Sequence, residues 1–372
     1  MKTLLVVVAL LSLFRFAPAS AADITVRLQN PPPEGDLVIQ VYDNADAFGD
    51  FRRPAREMRF AIQPGEPGEA YVIPDAPAGQ VAVLAYVDEN KNRALDRSFI
   101  GIPREPLGLS NNYQPKGPPS FQRASFPVAE GQANYVDIEL YSVLGDAGQW
   151  GVGLGAVGRS SPYVGSDTNV VQVIPAITYF GERLQWVGPN LRYGIAGSDR
   201  LRLAVTASYR VGAYEEDDSP NLEGLGDRDS TVMLGLGVIY EGPYGIELDF
   251  GYQNDVLDNV GGGGIAAASV SRGFQFGNIR LNPALGVNWT SSSVADYDFG
   301  VPQSAALPGR PAYDVGSSIT VEAGVGALWE LTENWRVALN VAWENLDSEI
   351  TDSPIVDEDY VIKGFTAITY TF

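Results

Sequence analysis

The sequence predicts an all-β chain in two parts, a periplasmic β-sandwich followed by an antiparallel transmembrane β-barrel. Three observations predict it: the alternation of the last residues, the recurrence of that alternation in strand after strand, and the lack of any apolar run long enough to cross a membrane as a helix. In Gly364 to Phe372, Ile368, Tyr370 and Phe372 point one way while Ala367, Thr369 and Thr371 point the other. A strand with lipid on one face and a lumen on the other needs this period of two. Tyr370 and Phe372, the terminal aromatics, also read as the signal by which barrel assembly machinery recognises a closing strand.

The beginning of the sequence agrees with its end. Lys2 supplies a positive start, Leu4 to Phe14 an apolar core and Ala19-Ser20-Ala21 a small-residue cleavage site, so residues 1–21 read as a secretory signal peptide. That run is too short to span a bilayer, and a membrane form of this chain must therefore be a closed sheet. Cysteine and histidine are both absent. Their absence excludes disulfides, thiolate chemistry, imidazole general bases and histidine metal sites, so the chain reads as non-enzymatic. Lys and Arg total 25 against 46 acids, a net charge of −21, and without Lys2 and Arg15 the balance is −23. Nucleic acid is disfavoured as a partner, because a phosphate backbone needs a basic face.

Composition shifts near residue 145. All six tryptophans follow it, and Pro31-Pro32-Pro33 and Pro118-Pro119 precede it. Residues 22–145 carry 17 acids and 11 bases, while 146–372 carry 29 acids and 12 bases. We expect a sandwich domain of unknown function over 22–145 and a barrel over 146–372.

In the second part, Leu201 to Val211 is apolar at every odd position, and Ile246 to Gln253 at every even one. Leu281 to Trp289, Val321 to Trp329 and Val337 to Trp343 alternate likewise, with small residues or isolated charges between. Small residues suit a crowded lumen, and the aromatics at strand ends suit interfacial girdles. Glu241 to Tyr244 and Gly277-Asn278 read as periplasmic turns. Glu215 to Ser230, Ser291 to Ser317 and Glu344 to Tyr360 read as external loops. Counting strands from Gln149 gives eleven, a parity that puts the loop at Glu215 on the wrong side. Dividing Leu184–Gly197 at Gly188-Pro189-Asn190 gives twelve, with ten as the alternative. An even count leaves both barrel ends, and the preceding domain, in the periplasm. In that domain, alternating segments at 36–42, 81–87 and 134–140 with Pro/Gly-rich links suggest a seven-strand-type sandwich.

Three further stretches carry a resemblance. They are Ser161-Pro162-Tyr163-Val164-Gly165-Ser166 after the first strand, Asp296-Tyr297-Asp298-Phe299-Gly300-Val301 at the large fourth loop and Ser353-Pro354-Ile355-Val356 near the end. With the terminal Tyr370-Thr371-Phe372, their order and spacing resemble the MipA/OmpV family of outer-membrane proteins over residues 148–372. The resemblance implies a barrel in the bacterial outer membrane, in contact with lipid and lipopolysaccharide. It also implies a scaffold that joins murein-cleaving and murein-synthesising enzymes, or a porin-like role. Residues 23–141 resemble an uncharacterised family of small secreted β-domains, through Val81 to Asn92, Leu95-Asp96, Gly101 to Glu105 and Ser110-Asn111-Asn112. Such an appendage is not part of the usual barrel pattern.

Few residues are marked for chemistry. Asp88, Asn90, Asn92 and Asp96 have the spacing of the first ligands of a calcium loop. Arg93 stands where that loop wants glycine and Phe99 where it wants glutamate, so an Asx-rich turn is the competing reading. Glu215 to Asp218, with Glu223, Asp227 and Asp229, reads as a solvated, mobile acidic loop; the competing reading is that it bridges to lipopolysaccharide phosphates through divalent cations or engages cationic solutes. Gly261 to Gly264 lacks the Lys-Ser/Thr of a phosphate cradle and reads as a hairpin. Arg202, Arg210 and Arg280 share the lumen phase with Glu247, Asp249 and Glu322. Paired, they would stiffen a plugged barrel. Unpaired, they would line a path for small solutes.

Overall fold

A computed structural model describes residues 21–62, 70–99, 101–145, 147–166, 169–198 and 200–372. The signal-peptide reading of residues 1–20 lies outside them. The chain divides into two compact units that interleave in sequence: residues 94–106 and 114–120 belong with the barrel, and the rest of the first 141 residues form the other unit.

The first unit is a sandwich of two sheets. Strands β1 (Ala21–Leu28), β4 (Ala70–Pro77) and β8 (Asn134–Ile138) make the smaller, with β1 central and parallel to β8. Strands β2 (Asp36–Tyr42), β3 (Arg56–Ala61), β5 (Gly79–Asp88) and β6 (Leu107–Leu109) make the larger, and β7 (Phe126–Val128) pairs with one end of β5. Inward-facing Ile24, Val26, Leu37, Ile39, Val81, Val83, Ile73 and Ile138 form the core between them. Among the described residues the strand number is eight rather than the seven expected. The strands β2 and β5 are also not half-polar: Val38, Tyr42, Ala82, Leu84 and Tyr86, on their outer face, are buried too. A short helix at Ala45–Gly49 and another at Phe121–Ala124 account for part of this cover. Phe48 of the first helix packs its ring edge-on against Tyr42, Phe51 and Phe121. The run from Val81 to Val87 is therefore apolar on both faces because it is central in three layers.

The second unit is a closed antiparallel barrel. Its strands are β9 (Gln149–Arg159), β10 (Val170–Phe180), β11 (Leu184–Val187), β12 (Asn190–Gly197), β13 (Leu201–Arg210), β14 (Thr231–Glu241), β15 (Ile246–Asp255), β16 (Gly264–Arg272), β17 (Phe274–Phe276), β18 (Ile279–Thr290), β19 (Ser318–Glu330), β20 (Trp335–Asn345) and β21 (Tyr360–Thr371). Each pairs with the next, β16 and β17 both pair with β18, and β21 pairs with β9 to close the ring. β16 and β17 are one strand interrupted at Gly273, so the barrel has twelve. The turn at Gly188-Pro189 divides Leu184–Gly197, as parity required.

Register assigns every side chain to one of two faces. Leu154, Val173, Leu236, Phe250, Leu285, Val325, Leu339 and Ile368 share the outer face, and most are exposed, as lipid contact demands. Trp289 and Trp343 end this band toward the long loops. Trp150, Trp329, Trp335, Tyr370 and Phe372 end it toward the short turns, where the Trp335 and Tyr370 rings lie 5.3 Å apart. The last strand is fastened at its end, because the Phe372 N–H donates to the Trp150 carbonyl at 2.9 Å. No helix among the described residues is long and apolar enough to cross a membrane.

Candidate functional site: a capped, charge-paired lumen

The long loops do not stand free above the barrel. Tyr163 from the first, Ala213, Tyr214 and Leu222 from the second, Phe299, Val301 and Val315 from the fourth and Ile350, Ile355 and Val356 from the last form one buried hydrophobic cluster. Tyr163 is central. Its ring stacks on Phe299 with centroids 5.8 Å apart, meets Tyr214 edge-on at 4.7 Å, and its hydroxyl donates to the Asp298 carbonyl at 3.2 Å. The Ser353 hydroxyl donates to the Phe299 carbonyl at 2.5 Å, and the Val164 N–H to the Ile355 carbonyl at 2.9 Å. The three loop stretches that carried the family resemblance thus meet in one place and close the external mouth. Burial pushes the Tyr163 and Tyr214 phenols well above their ordinary pKa, since an anion there would lose its water.

Beneath this cap lies a buried ion pair. Helix Ser292–Phe299 delivers the Asp298 carboxylate to Arg210, which stands at the last lumen-facing position of β13. On the same side Arg228 donates to the Tyr297 carbonyl and lies over the Tyr214 and Tyr297 rings, each 4.8 Å from its centroid. Arg310 donates to the carbonyls of Asn221, Glu223 and Ala305 and so ties the fourth loop to the second. The acidic loop is consequently not solvated throughout, as its charge predicted: Glu216 and Asp218 are half-buried and Leu222 is buried. Glu216 turns its carboxylate onto the N–H groups of Gly224 and Gly226, each at 3.2 Å, and only its outer acids remain in solvent.

Charges in the lumen are paired between strands, some of them two or three strands apart. Arg202 lies 3.4 Å from Glu247 and 3.7 Å from Glu241, and Asp249 lies 2.7 Å from Arg192. Glu322 lies 3.3 Å from Lys363, which also meets Glu344 at 2.8 Å. Thr320 adds a hydrogen bond to Glu344 at 2.7 Å. Arg280 lies across Gly273, where any Cβ would collide with its guanidinium; this explains a glycine at the strand interruption. Sequence reading found six of these charges and missed Arg192, Glu241, Glu344 and Lys363. All four sit in the lumen phase, so alternation already marked them. Asp298 carried no such mark, because a loop has no period.

The inner mouth is met by the two segments that leave the sandwich in sequence. In the first, the Phe99 N–H donates to the Glu182 carbonyl at 3.0 Å and the Phe99 carbonyl accepts from Arg202 at 3.0 Å. The Phe99 ring occupies the space that a side chain at Gly194 would need. Arg104 meets Glu182 at 3.1 Å. In the second segment, the Ser120 hydroxyl donates to the Gly277 carbonyl at 3.0 Å, and a Cβ at Gly117 would come within 3.2 Å of the Arg336 guanidinium carbon.

The calcium-spaced residues are arranged otherwise. Asp88 is fully buried; its carboxylate meets Arg59 at 2.8 Å and accepts from the N–H groups of Asn92 and Arg93. Asn90 accepts from Asn92 at 3.0 Å, which is an Asx turn. Asp96 belongs to the barrel unit, and its N–H donates to Glu105 at 3.0 Å. Among the described residues no cluster of three acids is placed to hold a metal ion. Gly261 to Gly264 closes the hairpin between β15 and β16.

Comparison with known proteins agrees with this geometry. Residues 152–372 match the family model described as MltA-interacting protein MipA, and residues 28–136 match that of an uncharacterised protein conserved in bacteria. The MltA-interacting protein of Escherichia coli is 30% identical over 225 residues, 60% of this chain and 89% of its own length. The outer membrane protein OmpV of Vibrio cholerae is 27% identical over 239 residues, 64% of this chain and 92% of its own. These relatives are named as outer-membrane proteins or for an interaction, none as an enzyme. The chain therefore belongs to the MipA family, as an outer-membrane β-barrel that carries an additional N-terminal β-domain.

Proposed function

We propose that this protein is a non-enzymatic structural element of the cell envelope. In this reading the barrel anchors the N-terminal sandwich on the periplasmic side, where the domain contacts envelope partners. Murein-synthesising or murein-cleaving enzymes are the expected class, since one relative is named for its interaction with MltA. The observation that carries the reading is the cap. A mouth closed by Tyr163, Tyr214, Leu222, Phe299 and Ile355, over the Arg210–Asp298 pair, is built for permanence rather than for passage of hydrated solutes. The exposed acids of the second loop are left for divalent-cation bridging to lipopolysaccharide.

The alternative, a narrow porin-like channel or receptor for small solutes, draws on the charged lumen. Its acids and bases are mostly spent on one another, which favours a stiffened wall. Planar-bilayer recording on the full-length protein separates the two: the anchor gives no unitary steps, and regular steps in the wild type would overturn it. Pull-down of the full-length protein from cross-linked envelopes should enrich murein enzymes over a MipA-family barrel that lacks the sandwich. Equal recovery by both would remove the sandwich from the partner contact.

A further inference from the structure

The barrel wall is not of even height. β10 is eleven residues long, yet β11 pairs only with Thr178, Tyr179 and Phe180 before the chain turns back at Gly188-Pro189. The Gly188 N–H donates to the Ile177 carbonyl at 3.0 Å, and the Tyr209 N–H to the Pro189 carbonyl at 2.9 Å, so the hairpin tip reaches Ile177 on one side and Tyr209 on the other. Above it, among the described residues, no strand pairs with Val170–Ala176 on the side away from β9. Beyond the hairpin β13 continues only through Tyr209 and Arg210, and there it faces β10 across three strand spacings, about 14 Å.

Three details fit an opening rather than an oversight of packing. The Ile177 carbonyl points to this side, so the backbone groups of Pro175, Val173 and Val171 do as well. Pro175 has no N–H to leave unpaired, the usual provision on an edge. Val171 and Val173 are 66% and 75% exposed, among the most open apolar side chains of the wall. They stand eight and six residues along β10 from Tyr179, the partner of Trp150, about 20 and 15 Å up the axis at the usual strand tilt, and so lie within an apolar band of about 25 Å. Unpaired backbone cannot face lipid at that depth without something to satisfy it. A single side-chain contact bridges the gap, Tyr209 donating to Gln172 at 3.3 Å.

We propose that this notch is a lateral port through which the lumen takes up an uncharged amphiphile from the outer leaflet. Its outer lip, Val171, Val173 and Pro175, is apolar. Its inner lip offers the neutral Gln172 on β10, and just below it in the lumen, opposite Asn190 and Arg192 of β12, Ser208 and Thr206 of β13 share Gln253. The nearest lumen charges on β12 and β13, Arg192 and Arg210, are already paired with Asp249 and Asp298. An apolar body with a hydroxyl, ester or amide head therefore matches both lips, whose side chains Val171, Gln172, Val173 and Pro175 carry no charge. An amphiphile already dissolved in the outer leaflet meets the wall and not the mouth, so the notch is its way in. The port does not depend on the anchoring role proposed above; bilayer steps would overturn that role and leave the port untouched.

The absence of cysteine makes the test direct. Full-length protein in lipid nanodiscs is photolabelled with a monoacylglycerol that carries a diazirine on its chain, and adducts are mapped by mass spectrometry. An unbroken wall restricts adducts to outer-face residues such as Val171, Val173, Leu234 and Leu236. A port adds the lumen-facing Ile174 and Ser208. Bridging Gln172→Cys and Tyr209→Cys with a bis-maleimide should lower the Ile174 and Ser208 adducts several-fold relative to the same variant left unbridged, with Leu234 and Leu236 unchanged. Adducts confined to the outer face, or adducts at Ile174 and Ser208 that survive the bridge, would overturn the port. Equal labelling of the two residues by the fatty-acid carboxylate analogue would overturn the preference for an uncharged head.

Discussion

The two ends of the barrel are closed by different means. At the external end, four loops contribute a hydrophobic cluster with stacked rings and a buried ion pair, and residues from all four are nearly inaccessible. At the inner end, two segments meet the turns and the lumen wall through backbone carbonyls, arginines and one half-buried phenylalanine. The first closure has the character of a domain core, the second that of a polar interface. A core opens only cooperatively, whereas part-buried hydrogen bonds can be exchanged for bonds to water one at a time. The external end is thus the permanent one, and the inner end is where change is cheap.

The largest expected effect comes from breaking the external core at its charge. Asp298→Ala leaves Arg210 buried without its partner and should cost about 3–5 kcal/mol, seen as a lower melting temperature and rapid proteolysis in the external loops. Replacing both residues together, with Arg210→Met and Asp298→Leu, should recover most of it. An unchanged melting temperature for Asp298→Ala would remove the pair from the closure.

Alkali tests the same core more gently. The folded phenols of Tyr163 and Tyr214 hold their protons more tightly than unfolded ones do. Their contribution is complete below the unfolded value of about 10 and is lost as pH rises above it. Melting temperature should therefore fall above that pH, and tyrosinate absorbance should show part of the 18 tyrosines titrating late. A single transition near the ordinary value for all of them would contradict the buried cluster.

The inner closure should respond less. Phe99→Ala removes one ring and keeps the backbone hydrogen bonds, for a loss of about 1 kcal/mol or less. Cleavage should rise within residues 94–106 while the external loops keep their resistance. Equal sensitivity at both ends would erase the distinction between them. Smallest of all is the effect of calcium on the sandwich. Arg59 and two backbone N–H groups already satisfy Asp88, so millimolar calcium should leave the melting curve of the full-length protein unmoved. A rise in midpoint would restore the calcium reading of Asp88, Asn90, Asn92 and Asp96.

Much of the wall was legible in advance, because a strand writes its two faces into alternate residues. Val337, Leu339, Val341 and Trp343 turn outward and Glu344 inward for no reason beyond period two. Parity of loop lengths even located the turn at Gly188-Pro189. The cap was not legible as a cap. Tyr163 and Asp298 are 135 residues apart and Ser353 and Phe299 are 54 apart, and loops carry no period that would pair them. Their similarity to a family marked the segments without saying that they touch. The acidic run at Glu215 misled for a related reason, since charge reports affinity for water but not what an adjacent Tyr214 or Leu222 is buried against.

The sequence by itself determined the class of the protein, which loops share an end of the barrel and which strand charges face the lumen. These follow from local rules: residue period, turn chemistry and the demand that every backbone group in lipid find a partner. Tertiary structure alone decided that the external mouth is sealed, that residues 94–106 and 114–120 belong with the barrel, and that the wall falls away above a hairpin too short to fill it. Those are matters of how far one segment reaches toward another, and reach depends on three-dimensional packing that no local pattern records.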